Sequence, residues 1–215
     1  MAIHKEKLGL AKESIYEMLH VAEYAVTYRK TDKDQWRNNA TGGILGFSAT
    51  VILFSIIDCL GSYFANNLKF TVTIDKKEKP IKKPTDHIYI LNSKYFNLDL
   101  SQIDLDNIYK NVRSTLTHNS LLPAGYRLQI GENESLPFNI GENMVERRVY
   151  YINVIRLFEV TKKAVEMFMD DLDKGIYNFN SSAIASNVSK RDVPSLIYVN
   201  SVGLFEIPIK RWIKK

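Results

Sequence analysis

Residues 101–118, SQIDLDNIYKNVRSTLTH, decide how the rest of the chain is read. The segment opens on Ser101-Gln-Ile-Asp104, a capping-box-like pattern in which the serine oxygen can accept a backbone N–H of a first helical turn. Leu105, Ile108, Tyr109, Val112 and Leu116 then recur in helical register and form one apolar face. At about 100° per residue, Arg113 falls on the flank of that face and His118 on the far side. The two bring a permanent cation and a titratable imidazole to the end of one helix, but an ideal helix does not make them converge. Either the helix ends or bends near Thr117, as Asn119 and Pro123 would favour, or the two partners meet across a dimer interface.

Three further helices are expected around this one. Over 5–28, Leu8, Ala11, Ile15, Met18, Leu19, Ala22 and Val26 recur at three- and four-residue steps. The segment 43–65 is apolar nearly all round, as the most buried helix of a bundle should be. From Ala40 to Ile57 it carries no charge, long enough for a membrane span to be weighed. Asp58, the scattered Gly, Ser and Thr residues and the lack of a second such stretch favour a core helix. Asp58 would then either pair with a basic group such as Arg113 or face a polar end of the bundle. The last helix is expected over 145–173, with Val154, Leu157, Phe158, Val165, Phe168 and Leu172 buried and Gly175 as its stop.

These spans predict a single all-α domain over 1–215, an up-and-down four-helix bundle with core helices at 5–28, 43–65, 101–118 and 145–173. Two short β-hairpin-like inserts interrupt it. In the insert 66–100, Leu68 to Ile74 alternates like a strand, a basic run from Lys76 to Lys83 follows, and His87 to Leu91 reads as the returning strand. Between the third and fourth helices, Tyr126 to Ile130 and Leu136 to Ile140 flank a Gly-Glu-Asn-Glu-Ser turn, a second hairpin near His118. The tail 176–215 is extended, with strand-like Leu196 to Val199 and Leu204 to Ile209 and a basic end.

Composition removes several classes. The 215 residues are 45% hydrophobic and 25% charged, enough to bury a real core. Cys59 is the single cysteine, so no internal disulfide can form, and no Cys/His cluster has zinc-site spacing. The charged N-terminal segment does not read as a signal peptide. A reducing cytoplasm, no metal and no cofactor are the expectation. The net charge of +5 is compatible with a polyanionic partner without requiring one.

The run Arg113-Ser-Thr-Leu-Thr-His118, near the end of the third of four helices, resembles the Arg-x(4-6)-His signature of the HEPN family. These are small helical bundles of toxin-antitoxin, anti-phage and RNA-processing systems, many of them metal-independent endoribonucleases. The resemblance covers roughly residues 5–175. It implies a homodimer whose two motifs share one cleft, RNA as substrate, and 2′,3′-cyclic phosphate and 5′-hydroxyl products. His118 would do general acid/base work and Arg113 would bind the scissile phosphate, with Ser114, Asn119 and Asp58 supporting them. A cognate antitoxin or nucleotidyltransferase is an implied partner. The tyrosine that a nucleotidyltransferase can modify in some members is replaced here by Ser120, and the polar residue after the arginine is Ser114, a less typical choice.

The chemistry suits these residue types. Cleaving RNA without a metal requires a base for the 2′-hydroxyl, an acid for the leaving 5′-oxygen and a cation for the charge on phosphorus. Imidazole, with an ordinary pKa of about 6.5, reaches both protonation states near neutrality. Guanidinium stays charged and presents a planar fork to two phosphoryl oxygens. The remaining histidines, His4, His20 and His87, show no constellation in the sequence.

Overall fold

The structure, a computed structural model, describes residues 2–32, 36, 43–119, 121–130, 136–141 and 149–176. The strand-like stretches and basic end expected in the tail lie outside them.

α1 (Ala2–Thr27) and α2 (Gly46–Tyr63) pack along each other. α1 buries Ile15, Leu19, Ala22 and Val26, with Ala11 and Met18 at the margin, so most of the expected stripe does face inward. α2 buries Leu53, Phe54, Ile56, Ile57 and Leu60 completely and is covered on its other sides by α5 (Val154–Asp173) and a 3-10 helix (Pro84–Asn92). Among the described residues α2 is the only helix long and apolar enough to cross a membrane, and half of that span is buried inside the fold. Burial on several sides by other elements is what a core helix needs.

The rest of the chain is not a bundle. The fold is mixed α/β, with helices and two small sheets, and the all-α four-helix reading is overturned. β1 (Thr71–Ile74) and β2 (Lys77–Pro80) form an antiparallel hairpin. Its turn residues, Asp75 and Lys76, both have positive φ (50° and 63°), the signature of a two-residue turn whose twist matches the strands. The basic run expected to link two strands therefore supplies the second strand itself. His87 to Leu91, expected to be that strand, lies instead in the 3-10 helix. Pro84 sits in its first turn, and the Asp86 carboxylate accepts the N–H groups of Lys82 and Lys83, both at 3.2 Å. That start signal, Pro-Thr-Asp, outweighs the β-branched residues behind it.

The second correction concerns the end of the chain's core. Val149–Asn153, expected inside the last helix, is β5, the central strand of a sheet ordered β3-β5-β4. β3 (Tyr126–Gln129) runs parallel to it and β4 (Phe138–Gly141) antiparallel. The two expected strands thus exist but do not pair with each other. Val-Tyr-Tyr-Ile is a strand-forming run, and Asn153 then caps the helix, its Oδ1 accepting the Arg156 N–H at 2.9 Å. The start of α5 is accordingly Val154 rather than residue 145.

The segment 101–118 is helical throughout but not uniformly wound. α3 (Gln102–Asn107) opens at Ser101, whose Oγ accepts the Asp104 N–H as the capping pattern expects. A π-helical stretch follows (Ile108–Ser114), then α4 (Thr115–Asn119). Leu105, Ile108, Val112 and Leu116 are buried, so one apolar seam survives the change of winding. Thr117 Oγ1 donates to the Arg113 carbonyl at 2.7 Å, and Thr115 Oγ1 to that of Asn111. Such back-bonding favours local departures from regular winding.

Candidate functional site

A polar cluster forms where α2, the 3-10 helix and the π-helical stretch meet. Asp58 and Gly61 lie three residues apart on α2 and so share a face. A Cβ at Gly61 would stand 2.2 Å from the His87 carbonyl oxygen, so the missing side chain is what allows the 3-10 helix to lie with its backbone against α2. That approach brings His87 to Asp58, Nδ1 to Oδ1 at 3.2 Å. From the third direction Arg113 Nη2 donates to Asp58 Oδ2 at 3.1 Å. Both carboxylate oxygens are thereby engaged, one by an imidazole and one by a guanidinium.

The three side chains differ in access. His87 is 12% exposed, Arg113 26% and Asp58 31%. Arg113 also lies 5.5 Å above the Tyr109 ring, one turn earlier, a cation–π contact that limits where the guanidinium can swing. Burial works against ionising Asp58. The hydrogen bond from His87 and the charge of Arg113 more than offset it, so the carboxyl stays below its ordinary value of 3.8. An ionised Asp58 requires the proton of His87 to be on Nδ1, leaving Nε2 as the other reactive nitrogen when the ring is neutral. Next to Asp58, burial and that carboxylate push the Cys59 thiol up to about 11, which leaves it a poor nucleophile at neutral pH.

Of the residues singled out from sequence, Asp58 and Arg113 are brought together and His118 is not. His118 is exposed in the last turn of α4 and has no hydrogen-bond partner among the described residues. No break or bend falls at Thr117; the helix continues to Asn119, and the irregularity lies earlier, over Ile108–Ser114. Ser114 is half-buried and Asn119 exposed, and neither side chain has a partner among the described residues. His87 is the residue of this cluster that sequence reading passed over. Two signals pointed to it: a lone carboxylate in an apolar helix needs more than one donor, and the Pro84-Thr-Asp86 start turns the following residues from a strand into a helix. Among the described residues no three His, Cys, Asp or Glu side chains gather as a metal site would.

Comparison with protein-family models, with curated proteins and with solved structures finds no match for this chain. The geometry of Asp58, His87 and Arg113 therefore has to be read by its own chemistry. An arginine held by a carboxylate on one side and an aromatic face on the other, still a quarter exposed, can receive an anion without first being ordered. A histidine with one nitrogen fixed by a carboxylate can transfer a proton through the other.

Proposed function

We propose that the protein is a metal-independent endoribonuclease of HEPN type, acting in the cytoplasm in a defence or toxin-antitoxin setting. What carries the proposal is the state of Arg113: charged, oriented by Asp58 and Tyr109, partly open to solvent, and on the same helical run that displays an unpartnered His118 in its final turn. Arg113 holds the scissile phosphate and stabilises its developing charge. His118 moves the proton, and Asp58 and His87 position the guanidinium. Arg113 stands in the π-helical stretch and bonds to Asp58, while His118, five residues on in the last turn of α4, has no partner among the described residues, so one chain does not close the site. Two copies placing their α4 ends in one cleft supply an arginine from one protomer and a histidine from the other. The test is RNA cleavage in excess EDTA by wild-type protein and His118→Ala, with chemical analysis of the ends. Cyclic-phosphate ends from the wild type alone are the expected result; cleavage that survives the substitution rejects His118.

A second reading has its own observation. No described residue orients or polarises His118, as a base usually requires. In that reading the protein binds RNA, a nucleotide or a protein partner through Arg113 without cutting. Intact RNA in both reactions, with binding weakened by Arg113→Ala, would favour it. A cognate antitoxin or nucleotidyltransferase belongs to either reading, and co-purification with the neighbouring gene product tests it.

A further inference from the structure

Along the same helical run, between it and the three-stranded sheet, lies an open cavity of about 250 Å³. Ile108 and Val112 line the helical side, and Phe138, Ile140 and Tyr150, which share one face of the sheet by their register, line the other. The sheet wall is set: Tyr150 stacks on Tyr126 with centroids 4.9 Å apart and planes 11° apart, and the Tyr126 hydroxyl accepts from Asn111 Nδ2 at 2.9 Å. The cavity is therefore a slot with one aliphatic and one aromatic wall, a shape that can hold a flat ring.

Two polar side chains mark its helical edge. Asp104 Oδ2 accepts from Ser101 Oγ at 2.6 Å, while Oδ1 has no partner among the described residues. Asn107, three residues on, lines the same cavity, and its amide likewise has no partner among them. One half-engaged carboxylate beside one unengaged amide is a recognition edge for a ring that carries adjacent N–H donors and a carbonyl. Among the RNA bases, guanine offers two adjacent N–H donors to a single carboxylate, and its O6 suits an amide N–H.

We infer that this cavity is a base-recognition pocket for guanine, held between Ile108 and Val112 on one side and the tyrosines of the sheet on the other. The inference rests on the ribonuclease reading in one respect: the base it selects would belong to RNA engaged by Arg113. Val112, on the cavity wall, immediately precedes Arg113, and consecutive Cα atoms are about 3.8 Å apart. Base slot and guanidinium thus occupy adjoining faces of one helix.

The test is binding of the four ribonucleosides to the wild-type protein, followed by ligand-observed NMR and equilibrium dialysis, with indole as an apolar control of similar size. Guanosine should bind best. Asp104→Asn should weaken it about tenfold, the loss of one charge-assisted hydrogen bond. Ile140→Trp, which fills the cavity from a half-exposed rim position, should abolish it. Circular dichroism confirms that each variant is folded, and Asn107→Ala serves if the tryptophan variant is not. No guanosine binding, equal binding of uridine, tighter binding of indole, or undiminished binding to the folded filled variant would each overturn the inference. Because no cleavage is measured, a protein that binds guanosine but leaves RNA intact refutes the ribonuclease reading alone. One that cuts RNA without binding guanosine refutes the pocket alone.

Discussion

Arg113 and Asp58 are 55 positions apart in the chain and meet at 3.1 Å, with His87 on the carboxylate's other oxygen. The contact ties the π-helical stretch to the core helix at the point where the 3-10 helix also lands. Asp58→Ala should leave a partly buried guanidinium and imidazole without their acceptor. The expected loss is about 1.5–3 kcal/mol, the range for a hydrogen bond to a charged group, measured by denaturant unfolding. A loss below about 0.5 kcal/mol would mean that solvent replaces the carboxylate freely.

Acid should weaken the same cluster in a defined direction. The folded-state carboxyl of Asp58 lies below its ordinary 3.8, so the unfolded chain takes up this proton first. The stability it contributes is complete above the ordinary value and is lost as pH falls through the folded value. Thermal melts of wild type and Asp58→Asn should therefore differ most above about pH 5 and draw together as pH falls through and below the ordinary 3.8. A gap that is constant over that range would show that the ionised form is not what the fold favours.

Gly61→Ala should be among the most damaging single-atom additions to the chain. The new Cβ would stand 2.2 Å from backbone, which cannot rotate away, so the 3-10 helix must lift from α2. A cost of about 2–3 kcal/mol is expected, and on the proposed ribonuclease reading also reduced RNA cleavage, because His87 and Asp58 separate. Gly141→Ala meets only a tyrosine ring at 2.8 Å, and the ring can shift. Its unfolding cost should be smaller; the reverse order would contradict the close approach of the two helices.

Cys59 should resist alkylation in the native protein. With its thiol near 11, about one molecule in a thousand carries a thiolate at pH 8. Iodoacetamide labelling followed by mass spectrometry should show slow modification that accelerates on unfolding. Rapid labelling at pH 8 would place the thiol in a different environment.

On the proposed ribonuclease reading, Arg113→Lys is expected to retain part of RNA binding and lose most cleavage, since an ammonium keeps the charge but not the planar fork. A drop of about tenfold or more in kcat with a smaller change in KM is the expected split. A raised KM with kcat unchanged would assign Arg113 to binding alone.

The core helices were legible because helical periodicity is a local property. Ile15, Leu19, Ala22 and Val26 on α1 and the continuous apolar run of α2 lie where their spacing puts them. The sheet was not legible in its topology, because strand pairing is decided over distance. Tyr126 to Gln129 and Phe138 to Gly141 looked like each other's partners until Val149–Asn153 came between them. Of the candidate site, the Asp58–Arg113 pair was one of two readings that the lone carboxylate allowed. His87 was hidden by a strand assignment that the Pro84 and Asp86 start signals outweigh. The wide turn over Ile108–Ser114 has no evident sequence mark, which is why a bend was sought at Thr117 instead.

That wide turn works like a vernier between two scales. Upstream of it, Gln102 of α3 is bonded to Asp75 and Lys79 of the β1–β2 hairpin; at its far end, Arg113 is bonded to Asp58 of the core helix. A regularly wound helix would link the two settings rigidly, so that any adjustment at one end turned the other by about 100° per residue. With the wider winding between them, substitutions that shift α3 against the hairpin need not disturb the arginine. In descendants of this chain the two ends could drift at different rates.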